Sequence, residues 1–184
     1  MEYNVTKVWD EALWLKAEVV YQEAFPGHKG KKRSIIRGMF ERKLSALHTW
    51  TEAGEIAAMA LTSTDRHAQA VIIDHLAVSA SRRERGIGLR CVEAIREWAE
   101  TTEACRSIII EAEADPTEEN ADRIRFWLKA GFLQTEYVHH YIWVPETYVA
   151  MYVPIAPAFQ PSDNGKSLFK VITKYHEKAY RGQD

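Results

Sequence analysis

The chain is poor in cysteine, in long apolar runs and in net charge, and each shortage excludes a class of protein. Cys91 and Cys105 are the only cysteines among 184 residues, too few for a disulfide framework or a cysteine-based zinc site. No apolar stretch approaches the roughly 20 residues that span a bilayer, and the first residues show no secretory leader pattern. The formal net charge of -2 gives no general attraction to nucleic acid or membranes. The sequence therefore predicts a reduced, cytoplasmic protein without a membrane partner.

Length and composition predict one folded domain. A chain of 184 residues with 46% apolar side chains can bury a substantial core, and neither a repeat nor a low-complexity linker divides it. We expect a single domain over residues 1–184, with a core over 1–156 and an extension over 157–184. Leu168, Ile172 and Ala179 share one face at helical spacing, so we expect the extension to contain a helix.

Strand and helix patterns alternate along the chain. Apolar runs typical of strands lie at Val71–Val78 and Ser107–Glu113, and a periodic, amphipathic stretch follows each of them. We expect Asp115 to be the N-cap of the second of these helices. Hairpins are predicted near both ends, one turning at Glu52–Gly54 and the other beginning with a strand over Phe132–Val144. This alternation predicts an α/β domain with a mixed sheet.

Between the first apolar run and its helix lies the stretch RRERGIGLR, in which four arginines surround Gly86 and Gly88. A strand, a short glycine turn and a helix aim unpaired backbone N–H groups and the positive helix end at one point. Glycines let an anion approach that backbone, and arginine forks suit phosphate oxygens. The spacing fits neither a Walker loop nor a dinucleotide fingerprint. The stretch predicts a phosphate site, and a tight turn with solvated arginines is the alternative that spacing alone leaves open.

Two blocks of the sequence together resemble the GNAT N-acetyltransferase superfamily. In LAVSASRRERGIGLRCVEAIREWA, the segment Arg83–Gly88 fits the family's acetyl-CoA pattern of Arg or Gln, two residues, Gly, one residue, and Gly or Ala. The second block, IIIEAEADPTEENADRIRFWLKAGF, resembles the family's next strand, its helix with an early Asn, and its closing GF. The blocks stand in the family's order and cover Val71–Phe132. The resemblance implies a mixed, mostly antiparallel central sheet with helices on both faces, to which this chain adds the C-terminal helix.

The resemblance also implies acetyl-CoA as co-substrate and no metal. The pyrophosphate of coenzyme A is expected on the backbone amides of Arg83–Leu89, and its pantetheine arm on the backbone of Leu76–Val78, like an added strand. Asn120 matches the family's helix Asn, and Trp127 stands where the family commonly has a tyrosine that protonates the leaving thiolate. The expected cofactor-binding residues are Leu76, Ala77, Val78, Arg83, Arg85, Gly86, Ile87, Gly88, Leu89, Asn120 and Trp127.

Family members transfer the acetyl group directly to an amine, and this chemistry needs a base. An alkylammonium group has a pKa of about 10 and must lose a proton before it attacks. Asp74, inside an apolar strand, and Glu111, where some members carry a catalytic Glu, are the two candidates; each can instead be an ordinary ion-paired carboxylate. Because an indole cannot usefully protonate a thiolate, either Tyr141 or Tyr137 supplies that proton, or water does so.

The acceptor is the part that the sequence leaves open. In the family, the segment between the first two helices and the turn between the late strands shape the acceptor pocket. Here His28–Lys43 carries seven Lys and Arg residues against one Glu. A basic rim for an acidic acceptor is one interpretation, and a solvated loop and helix face is the one we favour. Aromatic residues are not interleaved with this basic run, so nucleic acid is not an expected partner.

These observations predict an N-acetyltransferase that moves an acetyl group from acetyl-CoA to a primary amine of a small molecule or a protein. The alternative is a non-catalytic acyl-CoA-binding regulatory module. The expected partner is the amine acceptor, a homodimer is left open, and neither nucleic acid, membrane nor metal is expected.

Overall fold

The computed structural model describes residues 1–27, 29–161 and 163–181; His28, the first residue of the basic segment, lies outside them. The elements follow one another in this order: β1 (Glu2–Thr6), α1 (Glu11–Ala24), α2 (Arg33–Glu41), β2 (Ala46–Glu52), β3 (Glu55–Asp65), β4 (Ala70–Val78), a short 3-10 turn (Ala80–Arg82), α3 (Ile87–Thr101), β5 (Ser107–Glu113), α4 (Glu118–Lys129), β6 (Leu133–His140), β7 (Thr147–Pro154) and α5 (Lys166–Tyr180). None of the described helices is long and apolar enough to cross a membrane.

Among the described residues, seven strands form one sheet in the order β1-β2-β3-β4-β5-β7-β6. The pairs β1–β2, β2–β3, β5–β7 and β6–β7 are antiparallel, whereas β4 and β5 are parallel. The parallel ladder joins Ala70–Ile72 to Ser107–Ile109, and β4 continues beyond it to Val78. The predicted mixed, mostly antiparallel α/β fold is confirmed, and so is the extra C-terminal helix.

The chain divides into two compact units, and the first comprises Met1–Ser63, Ile73–Val92 and His176–Asp184. Its helix α1 begins at a good N-cap, because the Asp10 carboxylate accepts a hydrogen bond from the Leu13 N–H at 2.9 Å. One face of α1 packs into an apolar core with residues of α2 and of strands β2, β3 and β4. The buried members of this core are Trp14, Ala17, Val20, Tyr21, Ile36, Phe40, Leu47, Ile56, Met59, Leu61 and Ala77.

The second unit comprises Thr64–Ile72 and Glu93–Tyr175. Its centre is the β5–β7 ladder, in which Ile108 faces Val153 and Ile110 faces Met151, all four of them buried. The β6–β7 register shifts between Gln134 and Val138.

A turn of the second unit packs closely against β6 at Gly165. Gly165 has φ +100°, and a Cβ atom there would lie 2.2 Å from Thr135 Oγ1, so only glycine fits this contact. In the same turn the Asn164 carbonyl accepts a hydrogen bond from the Tyr137 N–H at 3.1 Å. The turn therefore pairs with β6 where the β6–β7 register is irregular.

Two local predictions were wrong. Thr117, not Asp115, is the N-cap of α4, because its side chain accepts a hydrogen bond from the Asn120 N–H. The Asp115 carboxylate instead accepts a hydrogen bond from the Thr147 hydroxyl at 2.6 Å. Strand β6 ends at His140 rather than at Val144, so Tyr141 lies just after the strand. At Asp115 a contact with the distant Thr147 takes the place of the capping role that the local pattern predicted.

Candidate functional site

The turn after β4 brings left-handed backbone directly before helix α3. Gly86 has φ 72° and Glu84 has φ 62°, and α3 begins at Ile87. A Cβ atom on Gly86 would meet nothing within 4 Å, so its backbone faces open space. The first N–H groups of an α-helix have no carbonyl partner inside the helix, and the positive end of the helix dipole lies there. We call Arg83–Leu89 the phosphate loop, because this geometry suits an anion.

The arginines around the phosphate loop make different contacts. Arg82 lies 3.2 Å from the Glu52 carboxylate and 3.2 Å from that of Glu55, so it ties the start of the loop to the β2–β3 turn. Arg85 Nη1 lies 3.9 Å from Glu52, and its side chain is 60% exposed. Arg82 is therefore held by two carboxylates of the β2–β3 turn, whereas the Arg85 side chain is mostly exposed. The sequence could not distinguish these two arginines.

The end of β4 lies beside the loop. Ala77 is buried in the core of the first unit, whereas Leu76 and Val78 are half-buried. The Val78 carbonyl accepts a hydrogen bond from Arg83 Nε at 3.1 Å. The structure thus joins the two predicted cofactor-binding segments, Leu76–Val78 and the phosphate loop, through a direct contact.

Asp74 is buried in an ion pair that the sequence did not reveal. Lys31 Nζ donates hydrogen bonds to both of its carboxylate oxygens, at 2.7 and 2.9 Å, and both side chains are 5% exposed. Burial alone would raise the pKa of Asp74, but the nearby charges of His75 and Lys31 outweigh it and hold that pKa well below its ordinary value. Asp74 is therefore a carboxylate whose charge is already compensated.

Aromatic and histidine side chains surround this ion pair. His75 Nδ1 lies 3.0 Å from Asp74 Oδ2, and the His75 ring packs edge-on against Tyr21 and Phe25. The Tyr21 hydroxyl accepts a hydrogen bond from the Lys31 N–H at 2.7 Å. Burial, and then the charge of Asp74, raise the pKa of Tyr21 above its ordinary value. These contacts bring α1, the segment before α2, and β4 together in the first unit.

A cavity of about 380 Å³ opens beside this cluster. Its walls include Tyr21 and Phe25 from the α1 side and Lys31 from the segment before α2. At its rim Arg33 pairs with Glu18, which lowers the pKa of that carboxyl. The cavity lies in the region between the first two helices, where the sequence predicted part of an acceptor pocket.

Glu111 and Tyr141 meet in the second unit. The Tyr141 hydroxyl donates a hydrogen bond to Glu111 Oε2 at 2.7 Å. Burial raises the pKa of Tyr141 above its ordinary value, and the neighbouring Glu111 charge raises it further. The sequence named both residues as candidates for proton transfer, and the structure brings them into direct contact.

Aromatic rings enclose Tyr141. It contacts the rings of Trp143 at 5.0 Å, Tyr148 at 5.4 Å and His139 at 4.5 Å. Burial lowers the pKa of His139, although the Glu111 charge acts in the opposite direction. His139 also stacks on Phe169 of α5 at 4.4 Å. The sequence reasoning did not assign His139 or Tyr148 to the site. Tyr148 comes close to Tyr141 because it pairs with His139 across β6 and β7, whereas His139 lies only two residues before Tyr141.

Asn120 and Trp127 occupy helix α4. The Asn120 side chain is buried, and its amide donates to the Asp115 carbonyl at 3.1 Å, so it stabilises the first turn of the helix. Trp127 packs edge-on against Phe132 with ring centroids 4.9 Å apart. Their predicted contacts with coenzyme A remain predictions.

Within the described residues, no group of three or more His, Cys, Asp or Glu side chains is arranged to hold a metal ion. Cys91 is fully buried in α3, and burial raises the pKa of its thiol to about 12. Cys91 is therefore a core residue and not an activated nucleophile.

Several solved structures with a similar fold are described as acetyltransferases. One is described as a putative GNAT acetyltransferase from Bacteroides thetaiotaomicron, with TM-score 0.74 and 17% identity over 96% of this chain and 97% of its own. The ribosomal-protein-S18-alanine N-acetyltransferase of Escherichia coli has TM-score 0.63 and 18% identity over 88% and 98%. A Bacillus subtilis acetyltransferase in complex with CoA has TM-score 0.59 and 16% identity over 84% and 98%. At these identities the likeness shows the fold.

Family membership follows from a separate match. The model of the acetyltransferase (GNAT) family matches residues 10–132, which is well over half of the chain. The protein belongs to the GNAT acetyltransferase family. A search of curated proteins found no significant relative.

Proposed function

We propose that this protein is an N-acetyltransferase that moves the acetyl group of acetyl-CoA directly to a primary amine. Family membership supports acyl transfer. The observation that supports acetyl-CoA as the co-substrate is the geometry of the phosphate loop. There the left-handed backbone of Gly86 leaves the N-terminus of α3 open to an anion.

In this proposal the pyrophosphate of coenzyme A binds the backbone N–H groups of Arg83–Leu89, and Arg85 compensates part of its charge. The pantetheine arm pairs with the backbone of Leu76–Val78. The parallel ladder between β4 and β5 ends at Ile72 and does not extend to the backbone groups of Leu76–Val78. This supports the proposed placement of the pantetheine arm. Asn120 and Trp127 are proposed to border the same arm.

The transfer itself needs no acyl-enzyme. The deprotonated amine nitrogen attacks the thioester carbon, the new C–N bond forms, and the C–S bond breaks. The departing thiolate then takes up a proton. The high pKa of the buried Cys91 supports direct transfer, because this thiol is not ionised at neutral pH. The thiol of coenzyme A resembles a cysteine side chain of pKa about 8.5, so its thiolate is a tolerable leaving group.

Glu111 is the base that the geometry favours. A base must accept a proton at the working pH, and the Asp74 carboxylate holds its pKa well below the ordinary value because it faces Lys31 and His75. Glu111 is only half-buried and has an oxygen engaged by an uncharged partner, Tyr141. It is therefore the better placed of the two carboxylates to take the proton of an ammonium group, directly or through a water.

Tyr141 is proposed to orient Glu111. Because its pKa is raised, Tyr141 is a weaker acid than an ordinary tyrosine and therefore a poor proton donor to a thiolate. Its hydrogen bond instead fixes the carboxylate in one rotamer, and water protonates the leaving thiolate.

The acceptor is proposed to be a primary amine of a small molecule or of a protein. The cavity beside Tyr21 and Lys31 supports a binding site between the first two helices. Because Lys31 is paired with Asp74, and Arg33 with Glu18, the basic segment contributes less net charge to this cavity than its composition suggests. We therefore favour an acceptor that is not strongly acidic.

Release of free thiol from acetyl-CoA across a panel of amines tests the proposal. Spermidine, kanamycin, a peptide that begins with alanine and a peptide with an internal lysine represent the main amine classes. Thiol release that depends on one of these amines, with the acetylated product seen by mass spectrometry, supports the proposal. Acetyl-CoA binding without thiol release from any amine would favour the non-catalytic acyl-CoA-binding module, for which Trp127 in the place of the usual tyrosine is the supporting observation.

A further inference from the structure

Lys31 connects three parts of the first unit. Its Nζ donates to both carboxylate oxygens of Asp74 on β4, at 2.7 and 2.9 Å. Its backbone N–H donates to the Tyr21 hydroxyl of α1 at 2.7 Å. Its Nζ also lies 5.6 Å from the ring centroid of Tyr180, in the last turn of α5, at a distance suited to a cation–π contact. Lys31 thus joins α1, β4 and the end of α5.

The residues on either side of Lys31 are also held in place. A Cβ atom on Gly30 would lie 2.8 Å from the Tyr21 hydroxyl oxygen, so the backbone of Gly30 rests directly on that ring. Lys32 is the N-cap residue of α2. The segment Gly30–Lys32 is therefore fixed on both sides as well as through the Lys31 side chain.

This segment forms a wall of two cavities. The first, of about 380 Å³, is the one beside Tyr21. The second, of about 360 Å³, has Ile35 and Tyr180 among its walls. Gly30, Lys31 and Lys32 line both cavities. The position of this short segment therefore sets the shape of both.

The last turn of α5 is itself held in place. Arg42 Nη2 donates to the carbonyls of Lys178 at 3.3 Å and Ala179 at 2.8 Å, and so satisfies carbonyl groups that a helix C-terminus leaves without partners. Ala179 is fully buried. Tyr180 follows directly and faces the second cavity. Lys178, Ala179 and Tyr180 lie outside the part of the chain, 10–132, that the family model matches.

A buried ion pair is a poor way to gain stability, because both charges lose their hydration. Replacing such a pair by uncharged side chains of similar volume is often neutral or stabilising, whereas removing one partner is strongly destabilising. The Lys31–Asp74 pair therefore calls for a role beyond stability, and it lies where it can control the cavity walls.

We propose that Lys31 is a positioning residue for acceptor specificity, and that Tyr180 brings the last turn of α5 into the acceptor site. The inference rests on the proposed function, since it requires the acceptor to bind at these cavities. Lys31 holds Gly30–Lys32 through Asp74, and Tyr180 contacts Lys31 and lines the second cavity. Asp74 accordingly acts through Lys31 and takes no proton from the acceptor.

The test uses the full-length protein with both charges removed together. The double variant Lys31→Met/Asp74→Asn removes both charges of the Lys31–Asp74 pair together, instead of leaving one of them without its partner, and should fold. We expect its KM for the best amine of spermidine, kanamycin, the alanine peptide and the lysine peptide to rise about tenfold or more, as a loss of uniform binding. Its kcat should stay within about threefold of the parent value, with unchanged acetyl-CoA affinity by calorimetry. Amide hydrogen exchange at 30–32 should become faster.

Substitutions of Tyr180 provide a second, independent test with a matched control. Tyr180→Leu keeps apolar bulk but removes the ring, and it should raise the amine KM in the same way. Tyr180→Phe keeps the ring and should leave that KM unchanged. The order of preference among the four amines should change in Tyr180→Leu but not in Tyr180→Phe.

The outcomes separate this inference from the proposed function. If the wild-type protein acetylates none of the four amines, the proposed function fails and the inference fails with it. If the wild type is active but the folded double variant keeps the wild-type KM for every amine, only the inference is overturned. A fall in kcat of about a hundredfold in the double variant would also overturn it, because Asp74 would then act in proton transfer.

Discussion

The Tyr141 hydroxyl donates a hydrogen bond to Glu111 across 2.7 Å, joining two residues that are 30 positions apart in the chain. An uncharged donor of this kind orients a carboxylate without cancelling its charge. Asp74 stands in contrast, because Lys31 compensates its charge at 2.7 Å. The Lys31 charge therefore compensates Asp74, whereas the Tyr141 hydroxyl orients Glu111. This difference leads to the first two predictions.

Glu111→Gln should lower kcat by about a hundredfold or more, because the amide cannot accept the acceptor's proton. Acetyl-CoA affinity should stay nearly unchanged, since the substitution leaves the phosphate loop intact. Steady-state kinetics with calorimetry on the same preparation measure both. Wild-type turnover in Glu111→Gln would remove Glu111 as the base.

Tyr141→Phe should lower kcat by about tenfold, because the Glu111 carboxylate loses the donor that orients it but keeps its own chemistry. The wild-type pH–rate profile should show no high-pH limb below about pH 10, since the pKa of Tyr141 lies above its ordinary value. A limb near pH 9 that disappears in Tyr141→Phe would instead identify Tyr141 as the acid that protonates the thiolate.

Gly86→Val and Gly88→Val should each weaken acetyl-CoA binding at least tenfold, about 1.4 kcal/mol, because a side chain would stand between the backbone amides and the pyrophosphate. Gly131→Val is the matched control for Gly86, because Gly131 has φ 88° but lies outside the phosphate loop. It should lower stability and leave the affinity unchanged. Unchanged calorimetric affinity in folded Gly86→Val and Gly88→Val would disprove the assignment of the loop.

Trp127→Phe should keep most of the activity, because a smaller ring can still pack edge-on against Phe132. Trp127→Tyr should change kcat by less than about tenfold, because a thiol leaving group of pKa near 8.5 gains little from an acid. A large rise in turnover for Trp127→Tyr, measured by thiol release, would show that acid assistance is missing from the native protein.

The stability of the protein should fall as the pH decreases from about 6.5 towards 3, because of His48. This side chain is fully buried between Tyr3 and Thr62, each 2.8 Å away, and burial lowers its pKa to about 3. The unfolded chain therefore binds a proton at higher pH than the folded protein does. Stability is fully present above the unfolded pKa and is lost as the pH falls towards the folded one.

Urea unfolding at a series of pH values measures this loss. The contribution of His48 to the slope should approach, at most, about 1.4 kcal/mol per pH unit, the value for one proton. His48→Gln removes the titrating group, so its unfolding free energy should fall less steeply between pH 6 and pH 4. Equal slopes for the two proteins would show that His48 does not control acid stability.

The sequence by itself determined the order of the elements and the place of the phosphate loop. Both depend on local physics: apolar spacing selects strand or helix, and a glycine with positive φ before a helix exposes backbone N–H groups. The buried face of α5 was predictable for the same reason, since Leu168, Ile172 and Ala179 are all buried as their spacing indicated. The family's two blocks also lie in one contiguous part of the chain.

Only the tertiary structure decided which charges are paired. In the sequence, Asp74 is an unexplained charge in an apolar strand. Its partner Lys31 lies 43 residues away, in a segment whose composition is typical of a solvated basic loop. Lys31 is instead buried, because the chain between α1 and α2 folds back onto β4. No local pattern encodes such a contact, since the pairing of two distant side chains depends on how the elements pack and not on the sequence around either residue.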